Sequence, residues 1–448
     1  MNSIFEHQKY FAYLSKAEFK HQTSMSEDFL HFIWKQQAYT NACKTESGKP
    51  FEIIHPGEHN QDAGPDFFNA RIKMDGTIWA GNIEIHTKTG EWNNHKHQFD
   101  PAYNNVILHV VAEHDKIIST EDGRQPETWV MKFPEEYSHA WIELLQSIRW
   151  IPCEHLIQNV RPLDILLWMQ NLAVERLEQK AENIKSEMMQ ENIDFDTVFF
   201  RTLTRYFGFN TNQIPFEMLG KSLKWQQIAK HRNNLQQIEA LLFGQAGFLV
   251  GELKDDYYMQ LKREYKILQA KFSLEPIDAK LWKFSRMRPG NFPSIRIAQL
   301  AMLLHKNERF FSRILETDNL KSLENLLKTE SSAYWETHYR FGEETEPKAK
   351  RLGKVSIEIL AINAIIPMLF LYGQIKDRQA YKDKAIHFLE ALKAENNTII
   401  RKWADLGIVA ENALESQSLI HLKKHYCNPK KCLSCRIGQI LVGSGARG

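Results

Sequence analysis

Between Gly64 and Trp92 the chain reads GPDFFNARIKMDGTIWAGNIEIHTKTGEW. Asp66 stands at the mouth of one β-type run. Glu84, His86 and Lys88 fall at alternate positions of the next. Residues two apart on a strand share a face, so these three line one side together with Asn82. Asp75-Gly76 between the runs is a tight-turn dipeptide. Pairing about it puts residue 66 opposite about residue 85. Two carboxylates brought that close ionise together only beside a cation. Hard oxygen donors with room for water suit Mg²⁺ or Mn²⁺. Such an ion activates water and offsets charge on a phosphoryl transition state. His86 or Lys88 would orient that water. The competing reading is a solvated sheet face with ordinary cross-strand pairs.

The flank, EWNNHKHQFDPAYNNVILH, adds histidines. His95 and His97 are expected near the same sheet end as Lys88, where they can bind phosphate or protonate a leaving oxygen. Alternatively His86, His95 and His97 form a nitrogen-rich zinc site. His109 lies on an apolar run and is expected to be a hydrogen-bonded core residue.

A second constellation lies near the C-terminus. Cys427, Cys432 and Cys435 crowd into HYCNPKKCLSCRIG. In a reducing compartment this density favours metal over disulfide. Cys153 is the expected fourth ligand and His425 the runner-up, while Cys43 is expected in the core. The ion would be Zn²⁺ or an iron–sulfur cluster, in a structural role.

The elements that must position these groups follow from periodicity. SEDFLHFIWKQQAYTNACK has helical spacing, and Ser26 with Glu27 and Asp28 suits its start. Phe51–His55, Asp66–Met74, Thr77–Lys88 and Val106–His114 read as strands, and Trp129–Pro134 as a further edge strand. The stretch from Lys88 to Val106 is long enough for a crossover helix between parallel strands. After about Arg149 the 3.6-residue period takes over. The expected layout is an α/β domain over 26–148, an all-α domain over 149–420 and a Cys-rich segment over 421–448, with residues 1–25 as an N-terminal arm.

The chain has 448 residues, a net charge of +2, 43% hydrophobic and 25% charged residues. These are the proportions of a globular protein of two or three domains. They neither demand nor exclude a nucleic-acid partner, which needs only a local basic patch. Glu6 and His7 interrupt any apolar signal core. The run Val355–Gly373 contains Glu358, Asn363 and Pro367 and reads as a buried kinked helix rather than a span. A cytoplasmic protein without membrane attachment is expected.

Gly64-Pro65-Asp66 followed by Glu84-x-His86, within an αβββαβ order over about residues 27–115, resembles the PD-(D/E)xK, or restriction-endonuclease-like, phosphodiesterases. The resemblance implies a mixed sheet, a divalent metal on Asp66 and Glu84, and hydrolysis of DNA or RNA. His86 stands where that superfamily has Lys, and Lys88 is the spatial substitute. Members often carry an upstream acid, for which Glu27, Glu52 and Glu58 are candidates. A one-plus-three cysteine layout is similar to the iron–sulfur staples of some of these enzymes, with different spacing. The chain as a whole also resembles a bacterial family known only as a domain of unknown function. Arg286, Arg288 and Arg296 around Pro289-Gly290-Asn291 suit phosphate contacts. Arg201 and Arg205, with Tyr206, Phe207 and Phe209, suit a stacking surface. The alternative to a nuclease is a binding module on the same fold that has lost turnover.

Overall fold

The computed structural model describes residues 26–60 and 62–444; the expected arm over 1–25 lies outside them. The chain divides into two compact units, one formed by residues up to Trp168 together with the segment from Leu422 onward, the other by Met169–His421. The first unit carries a mixed sheet and the second is largely helical. The division falls inside the helix Pro162–Gln190 rather than near residue 149.

The first unit opens with helix α1 (Glu27–Gln36), capped where the Ser26 side chain accepts from the Phe29 N–H. The strands are β1 (Phe51–His55), the short β2 (Glu58–His59), β3 (Phe67–Met74), β4 (Thr77–Lys88), β5 (Val106–Glu113) and β6 (Glu127–Val130). Their order across the sheet is β1-β3-β4-β5-β6, with β2 also on β3. β3 and β4 form the expected hairpin, Met74 opposite Thr77, with Asp75 and Gly76 both at positive φ. That backbone is what a two-residue hairpin turn requires. β4–β5 and β5–β6 are parallel.

The link between β4 and β5 corrects one expectation. It holds no long crossover helix, only the single-turn α2 (Glu91–Asn94) and 3₁₀ turns at His97–Phe99 and Pro101–Tyr103. Parallel neighbours need a return path of a dozen or so residues, and this stretch provides it without a regular helix. Trp92 and Tyr103 are buried there with Val106 and Ile118.

Helix α1 covers one sheet face. Its Trp34 lies 6.4 Å from Phe67 and 6.3 Å from Trp129, centroid to centroid. Trp129 also meets Tyr39 and Phe51 edge-on and donates its indole N–H to Ala42 O. Such aromatic pairs add specificity beyond area burial.

The second unit is built from helices around one large apolar cluster that includes Phe199, Phe243, Leu300, Trp335 and Leu369. A short ribbon, His338–Arg340 with Glu343–Glu344, is its small departure from an all-α layout. Lys354–Ile375 is long and apolar enough to cross a membrane, yet 67% of its most apolar window is buried inside the protein. It holds a π-helical turn at Ala361–Ile365, just before Pro367. Pro has no N–H for the regular ladder, and a widened turn absorbs that loss.

Trp129 is the hub of the first unit's core. Trp129→Ala should cost about 3–5 kcal/mol, the range for truncating a buried aromatic. Urea denaturation followed by circular dichroism checks this. A cost below about 1 kcal/mol would mean that the surrounding aromatics are not packed as described.

Candidate metal centre

β4 runs past the start of β3. The antiparallel register ends at Phe67 opposite Ile83, so on that side β4 has no strand beyond this point, although β5 continues alongside to Lys88. The unpaired edge still needs hydrogen-bond acceptors. The Ile85 N–H donates to Asp66 Oδ2 at 2.8 Å, and the Thr87 N–H donates to Glu91 Oε2 at 2.8 Å. Two carboxylates thus stand where a neighbouring strand would supply carbonyls. In return the Asp66 N–H donates to Glu84 Oε2 at 3.1 Å.

A bulge sets this meeting. Ala70 pairs with Gly81 but Phe67 with Ile83, and Asn69 between them has φ 57°. Three residues of β3 therefore span two of β4, which moves Asp66 one residue from the expected register and against Glu84. Bulges bend strands and re-aim side chains in this way.

Around the two carboxylates stand imidazoles. His97 Nε2 lies 3.2 Å and His86 Nε2 3.5 Å from Glu84 Oε1. His86 Nε2 is also 3.1 Å from His95 Nδ1. His86, His95 and His97 each offer a ring nitrogen, all within 4.8 Å of one another, close enough to hold a metal ion. His31 Nε2, from α1, sits 3.1 Å from Asp66 Oδ2. Glu27 Oε1, one turn earlier on α1, lies 3.9 Å from His86 Nε2. Among the three acids considered upstream, Glu27 is the one that comes to this cluster, while Glu52 and Glu58 are exposed.

The sheet supports the cluster from behind. Glu84 pairs in register with His109 of β5, whose Nε2 bonds His86 Nδ1 at 2.8 Å. That bond fixes the His86 ring and leaves Nε2 facing the carboxylates, as a supporting partner does for a ligating imidazole. His97 stacks on Tyr103 at 3.7 Å.

Electrostatics at the site are unfavourable without a cation. Burial, then the charge of Asp66, pushes the Glu84 carboxyl up to about 9. Burial, then neighbouring histidines, brings His86 down to about 2 and His109 down to about 3. Burial also lowers His97. Burial works against a charged His31, but its hydrogen bond and charge pairing with Asp66 outweigh it and raise its pKa. Neutral imidazoles are the form that ligates metal. The buried His97 Nε2 makes no well-directed hydrogen bond, as expected of a ligand atom. The residues therefore fit a divalent cation with a mixed nitrogen and oxygen set.

Several expectations need correction. Lys88 does not join the cluster: it is exposed and its Nζ pairs with Glu113, its partner in register on β5, at 2.8 Å. Arg296 is no phosphate-seeking cation. It is buried, bonds Gln299, Asn291 and Ser356, and stacks on Phe209. Phe207 is core, and Arg201 and Arg205 are ion-paired with Glu187, Glu191 and Glu217. Arg286 and Arg288 remain exposed ahead of the helix Pro293–Lys306. The sequence reading missed His31 and the bonding of His109 to His86. The first had a signal: Glu27 and His31 are four apart on an amphipathic helix and share a face.

A family model described as a protein of unknown function, DUF2851, matches residues 27–398. The chain belongs to DUF2851. The matched span begins at Glu27 and contains every member of the cluster, whereas Cys427, Cys432 and Cys435 lie beyond it. No curated protein and no solved structure matches the chain. DUF2851 membership therefore assigns no activity, and the chemistry rests on the site itself.

The raised Glu84 carboxyl gives a test. Its ordinary value is 4.5 and its folded value about 9. In metal-free protein the unfolded chain releases this proton first, so stability falls as pH rises between those values. The depressed His86, His97 and His109 act oppositely, their contribution growing with pH and complete above their ordinary 6.5. Between pH 6.5 and 9 the wild type in chelator should therefore lose up to ~1.4 kcal/mol per pH unit relative to Glu84→Gln. Urea denaturation at stepped pH reads this directly; identical slopes for the two proteins would remove Glu84 as the cause.

Proposed function

We propose that this protein is a divalent-metal-dependent phosphodiesterase acting on nucleic acid. The observation that carries the reading is the convergence of Asp66 and Glu84 with His86, His95 and His97 at one sheet edge. Helix α1 followed by β1, β3 and β4 and then the parallel β5, with an Asp just before β3 and a Glu on β4, supports the restriction-endonuclease-like resemblance for this unit, although the return to β5 holds only single turns.

The surroundings support a phosphate-bearing polymer. A cleft of about 800 Å³ opens beside the site, and His31 and His59 belong to its lining. Lys35, Lys431, Trp141 and Tyr426 line it too, with Asp28 as an acid among them. Lysines positioned along a groove attract phosphates, and aromatics there can stack bases.

In this reading Asp66 and Glu84 hold the cation, and the three imidazoles complete or flank its ligand set. When bound, the ion would acidify water and offset charge building on the phosphate. His31 keeps the Asp66 carboxylate oriented. His109 keeps the His86 ring oriented. His95, the exposed member of the trio, would give a proton to the leaving oxygen. Lys35 and Lys431 bind flanking phosphates.

The tight imidazole trio favours a second reading, zinc-dependent hydrolysis of a small substrate with nitrogen ligands alone. It treats Asp66 as dispensable.

Incubation with single- and double-stranded DNA and RNA in Mg²⁺, Mn²⁺ or Zn²⁺ separates the readings. The phosphodiesterase should cut at least one substrate, and Asp66→Ala or Glu84→Ala should slow it on the order of 10²-fold or more, the scale of losing one charge-stabilising group. Binding without cleavage under every metal would favour a non-catalytic module. Full zinc-dependent activity in Asp66→Asn would favour the small-substrate hydrolase.

The cleft yields its own prediction. Lys35→Ala with Lys431→Ala should weaken binding of all nucleic-acid sequences alike and lower the salt dependence of log Kd by roughly one to two counterions. Fluorescence anisotropy across a salt series measures it, and an unchanged slope would remove these lysines from the interface.

A further inference from the structure

Cys153, Cys427, Cys432 and Cys435 are all buried, and none forms a disulfide. Cys427 lies within electrostatic reach of the other three thiols, and Cys153 within reach of Cys432 and Cys435. Four buried thiols from chain segments far apart in sequence thus gather in one region of the mixed-sheet unit.

The backbone is shaped to bring them together. Lys430, after Pro429, adopts a left-handed turn with φ 56°. Gly438 sits so close to Cys432 that a Cβ there would lie 2.2 Å from the Cys432 carbonyl oxygen. The segment is tied to the Cys153 region by Lys423 Nζ bonding Trp150 O at 2.7 Å and Lys430 Nζ bonding Leu145 O at 2.5 Å.

The donors around Cys435 suit a thiolate. It directly precedes the nine-residue helix Arg436–Ser444, whose Ile437 and Gly438 N–H groups donate toward its sulfur. The positive end of a helix stabilises a negative sulfur. The buried Trp168 indole N–H, near this sulfur, has no hydrogen-bond partner. Donors aimed at a sulfur are the usual support of a metal-bound thiolate.

We propose that Cys153, Cys427, Cys432 and Cys435 hold a thiophilic metal centre, a zinc ion or an iron–sulfur cluster, that pins the segment after Leu422 to the mixed-sheet unit. Both ions demand the same four thiolates in a buried, donor-lined setting. The centre also shapes the cleft. Tyr426, Lys431, Leu433 and Ser434, which line it, are interleaved with the three clustered cysteines. The proposal does not depend on the phosphodiesterase reading, since it concerns metal content and not turnover.

The test uses the full chain purified without oxygen. Elemental analysis should find either about one zinc per chain or iron with acid-labile sulfide and visible absorbance. Cys432→Ser and Cys435→Ser should lose that metal, and His86→Ala with His97→Ala should keep it. Should the cysteine variants fail to fold, thiol labelling of the wild type decides. Before chelation only Cys43, the half-buried thiol outside the cluster, should react fast, and afterwards all five thiols should. Neither metal at stoichiometric level, retention of the metal in both serine variants, or equal labelling with and without chelator overturns the proposal. A bound metal in a protein that cuts no nucleic acid would uphold this centre and sink the phosphodiesterase.

Discussion

A strand that outlasts its partner is the constraint from which the candidate site follows. Beyond Ile83 the β4 edge has N–H groups and no neighbouring strand to receive them. Buried donors must be satisfied, and here Asp66 and Glu91 carboxylates do it. An acceptor that carries charge is a costly choice for a purely structural task. It becomes sensible when the same carboxylate has a second duty toward a cation. The sheet edge and the candidate ligand set are therefore one arrangement, and the bulge at Asn69 brings its halves into register.

The remaining groups temper the charge that this arrangement concentrates. His31 neutralises part of Asp66 from the helix side. The buried histidines stay neutral and contribute lone pairs instead of charge. Tyr103 stacks on His97 and shields that side from solvent. What is left over is a carboxyl, Glu84, that cannot ionise comfortably on its own. Sites whose carboxylates are strained in this manner are candidates for function on physical grounds.

Much of this was legible in the sequence because it is local. Alternation placed Glu84 and His86 on one face, and Asp75-Gly76 fixed the hairpin that brings Asp66 near them. The parts that were hidden depend on distant pairing. No local pattern says that Glu84 lies beside His109, because the register of parallel strands is set by packing and not by a turn. Nothing in Phe67–Ala70 announces a bulge, although Asn tolerates positive φ. Lys88 shared the parity of Glu84 and His86 but not their burial, since alternation says which face and not how deep. Arg296 misled for a similar reason: a basic residue near a Gly-containing turn reads as exposed, whereas its neighbours Gln299 and Phe209 draw it inward.

The two-unit division has a consequence for how the protein is made. The mixed-sheet unit takes the residues up to Trp168 and is completed by those from Leu422 onward, with the helical unit inserted between in sequence. Translation proceeds from the N-terminus, so the sheet emerges from the ribosome long before its last segment exists. The inserted helices can pack meanwhile, since domains fold as units in the order of synthesis. A message cut short anywhere before Leu422 yields a sheet unit lacking one wall of its groove.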